Sequence, residues 1–228
     1  MKNNVEQRRT VLGWGGGAVL AFAVWALALP AQADSVYLLA QFMNQARSGR
    51  ADFTQVVTSP TRVGQVTRTK TSTGRFEFQR PGKFRFDYLK PFLQTLVADG
   101  QTLWLHDVDL NQVTARPQSQ VLGATPAALL AAASDLQALT ADFQFTPEPA
   151  QEGLQWVRAT PVQRDGPIRS VMVGLRVSAA GPELAVLDVQ DSLGQRSLLN
   201  FSAFELNPAL PASNFAFKSP AGANVIKP

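Results

Sequence analysis

The feature of this sequence that most constrains its fold is a repeated alternation of apolar and polar residues with a period of two. Phe76 and Phe78 flank Glu77, for example. The same alternation recurs in residues 84–88, 171–177, 185–189 and 199–203. Because successive side chains of a β-strand point to opposite faces of a sheet, this pattern predicts a series of half-buried strands with one apolar face.

Turn-forming residues separate these predicted strands. They are Pro81-Gly82, Asp99-Gly100, Asp165-Gly166, Gly181-Pro182 and Gly194. Short strands joined by tight turns form antiparallel meanders, in which one face packs on a core and the other meets water. The chain is therefore predicted to be mainly β. Since no linker interrupts the series, residues 34–228 are predicted to form one domain.

Two or three short helices complete the predicted secondary structure. Residues 35–47 carry apolar side chains at three- and four-residue spacing, and Ser35 is the predicted N-cap. A threonine–proline pair opens an alanine-rich stretch that is predicted to be helical over 125–133. A further short turn is predicted over 135–139.

The N-terminal segment is predicted to be a secretory signal. Three basic residues precede an apolar run over 11–29, and Ala31-Gln32-Ala33 supplies the small residues that a signal peptidase requires. We therefore predict a cleaved signal peptide over 1–33 and a mature protein in the periplasm. An uncleaved membrane anchor is the alternative, because the run is long enough to span a bilayer. Export by the Sec or the twin-arginine route is left open.

Composition excludes several classes of function. The chain has no cysteine, so it has neither a disulfide framework nor the lipidated cysteine of a bacterial lipoprotein. The signal segment holds three of the 21 basic and one of the 17 acidic residues, which leaves an excess of only two positive charges. Without a basic run interleaved with aromatic residues, this small excess argues against nucleic-acid binding.

Few side chains are suited to catalysis or to metal binding. His106 is the only histidine, and no nucleophile elbow, phosphate-binding loop or dinucleotide-binding motif accompanies it. We interpret His106 as a strand-end residue that is hydrogen-bonded to a turn. The sequence therefore predicts no catalytic residue, no metal site and no cofactor.

The apolar face of the predicted sheet needs a cover, and two or three short helices are a small one. The sheet must close into a barrel, pack against a second sheet, or leave an apolar cavity beneath the helices. Arg80 follows Phe76 and Phe78 at the same two-residue spacing, which places it on the apolar side of the strand. There its guanidinium could bond to the backbone of a covering helix and latch that helix; the alternative is an exposed arginine beside the turn at 81–82.

Several segments match a known family in order along most of the chain after residue 33. The most specific are Arg80-Pro81-Gly82-Lys83-Phe84-Arg85-Phe86-Asp87-Tyr88 and Leu96-Val97-Ala98-Asp99-Gly100-Gln101-Thr102-Leu103-Trp104. Supporting segments are Phe53-Thr54-Gln55, Gly123-Ala124-Thr125-Pro126 and Phe215-Ala216-Phe217. By these residues the chain resembles the outer-membrane lipoprotein carrier family, LolA.

The resemblance implies an incomplete antiparallel β-barrel, or half-barrel, with an apolar cavity covered by a short helical lid. It implies that Arg80 bonds to the lid and keeps it shut, and that Phe84 is an apolar residue at the mouth of the cavity. Together with the strand pattern, it leads us to predict lipid contact by six apolar residues. They are Phe76, Phe78, Phe84, Phe86, Leu129 and Leu130.

The resemblance also implies a monomeric periplasmic carrier that is not an enzyme. Such a carrier takes lipoproteins by their acyl chains from an inner-membrane ABC transporter and delivers them to an outer-membrane receptor. Two alternatives remain at this point. One is a lipid-binding envelope stress sensor, and the other is a lipid hydrolase, which would have to use His106.

Overall fold

The computed structural model describes residues 34–60, 66–121 and 133–227, and most of these lie in β-strands. The strands are β1 (Ser48–Thr58), β2 (Thr69–Gln79), β3 (Lys83–Lys90), β4 (Gln94–Asp99), β5 (Thr102–Asp107), β6 (Gln112–Pro117), β7 (Phe143–Gln151), β8 (Leu154–Pro161), β9 (Ile168–Ser178), β10 (Gly181–Asp191), β11 (Arg196–Leu206) and β12 (Asn224–Ile226). The strands predicted from the alternating segments are β2, β3, β9, β10 and β11, and all five are confirmed.

The helical elements of the described residues are few and short. They are α1 (Ser35–Gln45), α2 (Gln118–Val121) and two 3-10 turns, Gln137–Leu139 and Ala212–Phe215. The predicted first helix and the predicted turn over 135–139 are thereby confirmed. The predicted signal peptide and the helix predicted over 125–133 lie outside the described residues, except for Ala133. Within the described ranges, no helix has the length and apolar character needed to cross a membrane.

All twelve strands belong to one sheet, in the order β12-β6-β5-β4-β3-β2-β1-β11-β10-β9-β8-β7. Neighbouring strands are antiparallel except β12, which runs parallel to β6 because the chain reaches it through a long segment and not through a hairpin. The edge strands β7 and β12 do not pair with each other in the described part of the chain. The sheet is therefore open, and the predicted incomplete barrel is confirmed.

Helix α1 defines the two faces of this sheet. It packs against β7, β8, β9 and β10, on the face that carries Phe76 and Phe78, which we call the inner face. The main hydrophobic core lies between α1 and this face. On the opposite, outer face, the segment after β11 crosses β3 to β6, where Phe217 stacks on Trp104 with ring centroids 5.3 Å apart. Phe215 is buried on the same side, so the outer face has a small core of its own.

Two β-bulges change the faces on which predicted side chains lie. In β10 the register shifts between Leu184 and Val186, so that Leu184 joins Leu187 in the main core, while Ala185 belongs to a separate cluster. The strict alternation had put Ala185 on the same face as Leu187, which is wrong because a bulge inserts one residue. In β11 a second irregularity leaves Ala203 exposed at φ +50°, and Phe204 packs against the core instead.

Helix α1 begins at Ser35 as predicted, but its N-cap lies one residue earlier than predicted. Its N-cap is Asp34, whose side chain accepts a hydrogen bond of 2.9 Å from the backbone N–H of Val36. Ser35 is therefore not the cap. Its hydroxyl instead donates to the carbonyl of Trp156 at 2.7 Å, which fixes the start of the helix against β8.

Gly74 is required where the ring of Phe53 approaches β2. A Cβ atom built on Gly74 would clash with the backbone carbonyl of Asp87 and lie 2.8 Å from the Phe53 ring. We expect Gly74→Ala to lower the free energy of unfolding by about 1–3 kcal/mol, because the strand and the ring must both shift. Thermal or chemical unfolding measures this loss. Gly166→Ala, whose Cβ would meet no atom closer than 3.8 Å, should leave stability nearly unchanged; an equal loss in both variants would contradict the explanation.

Candidate functional site

The inner face of the sheet carries a continuous group of aromatic rings. Phe76 stacks on Phe86 with ring centroids 4.5 Å apart and lies 5.5 Å from Phe201. Phe53 meets Phe86 and Tyr88 edge to face at 5.5 and 5.1 Å. These side chains come from β1, β2, β3 and β11, which are adjacent in the sheet. The register of four strands thus assembles one aromatic surface.

Helix α1 covers part of this aromatic surface. Leu39, Phe42 and Met43 are at most 1% exposed, and Phe42 lies 5.9 Å from Phe204 of β11. The apolar side of helix α1 thus packs on the sheet, as expected of an amphipathic helix that borders a hydrophobic core. Each of these three side chains contributes about 1.5–3 kcal/mol through its removal from water.

Arg80 lies where the end of α1 meets the end of β2. Its Nη1 donates to the backbone carbonyls of Met43 at 2.6 Å and of Ala46 at 2.7 Å. The guanidinium also lies over the rings of Phe42 and Phe78, at 5.5 and 5.1 Å from their centroids. These carbonyls belong to the last turn of the helix, where the macrodipole favours a cation. Arg80 therefore ties the C-terminal end of α1 to the sheet.

The environment of Arg80 is unusual for an arginine. The residue is only 9% exposed. Burial, with a smaller effect from the charge of Arg47, lowers the pKa of Arg80 to about 10. This value is still well above neutral pH, so the side chain is charged when it bonds to the helix, and its hydrogen bonds are of the stronger, charge-assisted kind.

Asn207 is a second link between α1 and the sheet, and the sequence analysis did not identify it. Its Nδ2 donates to the carbonyl of Gln45 at 3.0 Å, and its Oδ1 accepts from the backbone N–H of Arg47 at 2.7 Å. The backbone of Asn207 has φ +54°, a conformation that asparagine tolerates better than most residues. The Asn-Pro pair directly after a strand is a sequence feature that could have indicated a turn at Asn207.

The apolar residues predicted to contact lipid are brought together only in part. Phe76, Phe78 and Phe86 lie on the inner face and are each 2% exposed. Phe84 is fully buried in the same core, with its ring 6.2 Å from that of Phe86. Phe84 was predicted to lie at the mouth of a cavity. It can lie there only if a rearrangement uncovers it. Leu129 and Leu130 lie outside the described residues.

Two clefts adjoin the main core. One, of about 550 Å³, is bordered by Leu139, Phe143 and Ile168 of that core and by Val162. The other, of about 420 Å³, lies at the opposite end of β2 from Arg80 and includes Tyr88 and polar side chains of β1, β2, β4 and β5. Both volumes fall within the range of about 300–1,000 Å³ that is usual for small-ligand sites.

His106 lies on the outer face, away from this site. Its ring is 6.1 Å from that of Phe217, and its Nε2 atom is buried with no hydrogen-bond partner among the described residues. The predicted hydrogen bond to a turn is therefore wrong for this atom, because the segment after β11 covers the imidazole with an aromatic ring. Among the described residues, no group of three His, Cys, Asp or Glu side chains is arranged to hold a metal ion.

Comparisons with known proteins identify a family to which this chain is similar. A family model described as outer membrane lipoprotein carrier protein LolA matches residues 44–218. An outer-membrane lipoprotein carrier protein from Albidiferax ferrireducens is 59% identical over 197 residues, which cover 86% of this chain and 92% of that protein. One from Leptothrix cholodnii is 52% identical, with 96% and 98% covered. The crystal structure of a LolA superfamily protein from Nitrosomonas europaea aligns at 14% identity with a TM-score of 0.45, over 81% of this chain and 98% of that one.

Proposed function

The chain belongs to the LolA family of outer-membrane lipoprotein carrier proteins, and we propose that it carries lipoproteins by holding their acyl chains against the aromatic inner face of its sheet. The observation that carries this proposal is the single aromatic surface formed by β1, β2, β3 and β11, which belongs to the same core as the buried side of helix α1. Such a surface offers acyl chains the contacts that they have in a membrane.

The physical need for a carrier follows from the cost of exposing lipid to water. Each exposed CH₂ group costs about 0.8 kcal/mol, so that several acyl chains cost tens of kcal/mol. A carrier lowers this cost only if its apolar surface roughly matches that of the membrane, since a much tighter grip would prevent release. The inner face and the apolar cleft beside Leu139, Phe143 and Ile168 supply apolar surface of this kind.

Access to the inner face requires a cover that opens. The aromatic side chains are buried, so acyl chains reach them only when the cover moves. Arg80 is suited to act as the latch of that cover, because it bonds to two carbonyls at the end of α1, where Asn207 also bonds. Charge-assisted hydrogen bonds contribute about 1.5–3 kcal/mol each, which is strong enough to hold a lid and weak enough to release it.

We further propose where the protein works and with which partners. The predicted signal peptide over 1–33 supports a location in the periplasm, and the absence of cysteine supports a carrier that is not itself a lipoprotein. We propose that it acts as a monomer. Its proposed partners are an inner-membrane ABC transporter, which supplies the lipoprotein, and an outer-membrane receptor, which accepts it. The function we propose is transport and not catalysis. The position of His106 on the outer face, against Phe217, supports this, since a lipid hydrolase would need that histidine beside the acyl chains.

The proposed function predicts a soluble complex of one carrier with one lipoprotein. We expect a triacylated lipoprotein, purified in detergent and mixed with the mature protein, to stay in solution when the detergent is removed. Size-exclusion chromatography with light scattering should then show a one-to-one complex. The same lipoprotein without its acyl chains is the control and should elute alone. Precipitation of the acylated form in the presence of the carrier would contradict the proposal.

A further inference from the structure

The inner face changes from apolar to polar toward the end of the sheet that is distant from Arg80. The strand register places polar side chains at the same level on five adjacent strands. Ser72 lies opposite Gln55, Gln94 opposite Tyr88, and Asp107 opposite Gln94. Together with Lys70, these residues line the cleft of about 420 Å³, which we call the polar cleft.

Tyr88 marks the boundary between the aromatic surface and the polar cleft. Its ring packs against Phe53 at 5.1 Å and Phe86 at 6.4 Å, and the same residue lines the cleft. Burial raises the pKa of Tyr88 to about 12, so its hydroxyl stays neutral and can donate a hydrogen bond. Tyrosine is suited to such a boundary because one end of its side chain is apolar and the other is polar.

The polar cleft is rich in groups that match a peptide backbone. The amides of Gln55 and Gln94 each offer one carbonyl acceptor and two N–H donors, and Ser72 adds a hydroxyl. Gln55 uses one donor on the hydroxyl of Ser197, at 2.8 Å, which holds its amide in place. A peptide unit carries one N–H donor and one carbonyl acceptor, so these amides can both donate to it and accept from it.

The charges of the polar cleft disfavour an anionic ligand. Of the described residues, those that line it include one cation, Lys70, and two aspartates, Asp107 and Asp109. The Lys70 ammonium also lies 5.0 Å from the ring centroid of Phe92. A phosphate group would meet a net negative charge here, whereas a neutral or positively charged peptide would not.

We propose that the polar cleft binds the first peptide residues that follow the lipidated cysteine of the cargo. This inference rests on the proposed function, because it assumes that the acyl chains occupy the aromatic surface beyond Tyr88. An acylated peptide is apolar at one end and rich in amides at the other. The inner face is likewise apolar at the aromatic surface and polar at the cleft, so each end of the ligand can meet a surface of matching polarity. The cleft thus fixes the direction in which the cargo lies on the sheet.

Comparing the affinities of an acylated peptide and of a free fatty acid tests this inference. The probes are a synthetic tripalmitoylated cysteinyl hexapeptide amide and palmitate, each titrated by displacement of a fluorescent fatty acid. In the variant with both Gln55→Leu and Gln94→Leu, we expect the Kd of the lipopeptide to rise about tenfold, while that of palmitate changes less than about twofold. Gln144→Leu, at an exposed glutamine of β7, is the matched control and should change neither.

The possible outcomes separate this inference from the proposed function. The peptide site is overturned if the double variant lowers the affinities for the lipopeptide and for palmitate equally, or lowers neither. Either result leaves the binding of acyl chains in place. Lysophosphatidylglycerol is a third probe: if the double variant weakens it as much as the lipopeptide, the cleft binds a lipid headgroup and not the peptide. If the wild-type protein binds neither lipopeptide nor palmitate, the proposed function itself fails.

Discussion

Replacing Arg80 with leucine is expected to free the C-terminal end of helix α1 and to expose apolar surface in the unliganded protein. The leucine would leave the carbonyls of Met43 and Ala46 without their donor. It would also remove the cation from the rings of Phe42 and Phe78. We expect the free energy of unfolding to fall by about 2–4 kcal/mol, because two charge-assisted hydrogen bonds are lost and only part of the loss is offset by apolar contact.

Two measurements check this expectation. The fluorescence of an anilinonaphthalene sulfonate dye should rise several-fold in Arg80→Leu, since the dye binds exposed apolar surface. Amide hydrogen exchange should become faster in α1 before it does so in the central strands, since the helix end opens locally. Arg75→Leu is the matched control, because Arg75 lies on β2, which ends directly before Arg80, but is exposed. Its Nε lies 3.7 Å from Oδ1 of Asp52. An unchanged dye signal together with unchanged exchange in α1 would remove Arg80 from the latch role.

The sheet was largely predictable because strand parity is a local property. The alternation in 76–78, 84–88 and 171–177 identified β2, β3 and β9. The turn signals at Pro81-Gly82 and Asp99-Gly100 correctly separated β2 from β3 and β4 from β5. Parity fails where a bulge adds a residue, as at Ala185 and Ala203. A bulge is a feature of two paired strands, so the sequence of one strand does not reveal it.

The contacts of the candidate site were less predictable because they join distant parts of the chain. Parity placed Arg80 on the apolar side, but which helix it would meet was left open. It bonds to α1, which is more than 30 residues earlier in the chain. Asn207, which also bonds to the end of α1, is about 160 residues away from it. Such pairings depend on the whole topology and have no local sequence signal.

The cover on the outer face was also missed, for a similar reason. Val97 and Val113 are fully buried there, opposite the inner face, although a meander with one apolar face would expose them to water. The segment after β11 supplies Phe215 and Phe217 to cover them. Apolar residues at outward positions were the available signal, and they indicate that something packs on that face.

Replacing Phe84 with glutamate is expected to destabilise the protein strongly and in a pH-dependent way. Phe84 is fully buried, with Phe86 and Phe76 in the same core, so a carboxylate there would be removed from water and surrounded by aromatic rings. Burial of an unpaired charge of this kind costs about 4 kcal/mol or more. The buried carboxyl would have a pKa well above its usual value, because burial favours the neutral form.

The sign of the pH effect follows from this raised pKa. The variant keeps most of its stability below the pKa of an unfolded glutamate, about 4.3, and loses it as the pH rises through the higher pKa of the folded state. Chemical unfolding at about pH 5 and about pH 8 should therefore show a deficit relative to wild type that is larger at the higher pH. Phe84→Gln should show a deficit that does not depend on pH, and Phe92→Glu, at a residue that is 58% exposed, should show almost none. If Phe84→Glu instead loses no stability at either pH but no longer accepts an acylated lipoprotein, Phe84 lies at an open mouth in solution, and the closed arrangement of the core is not the resting state of the carrier.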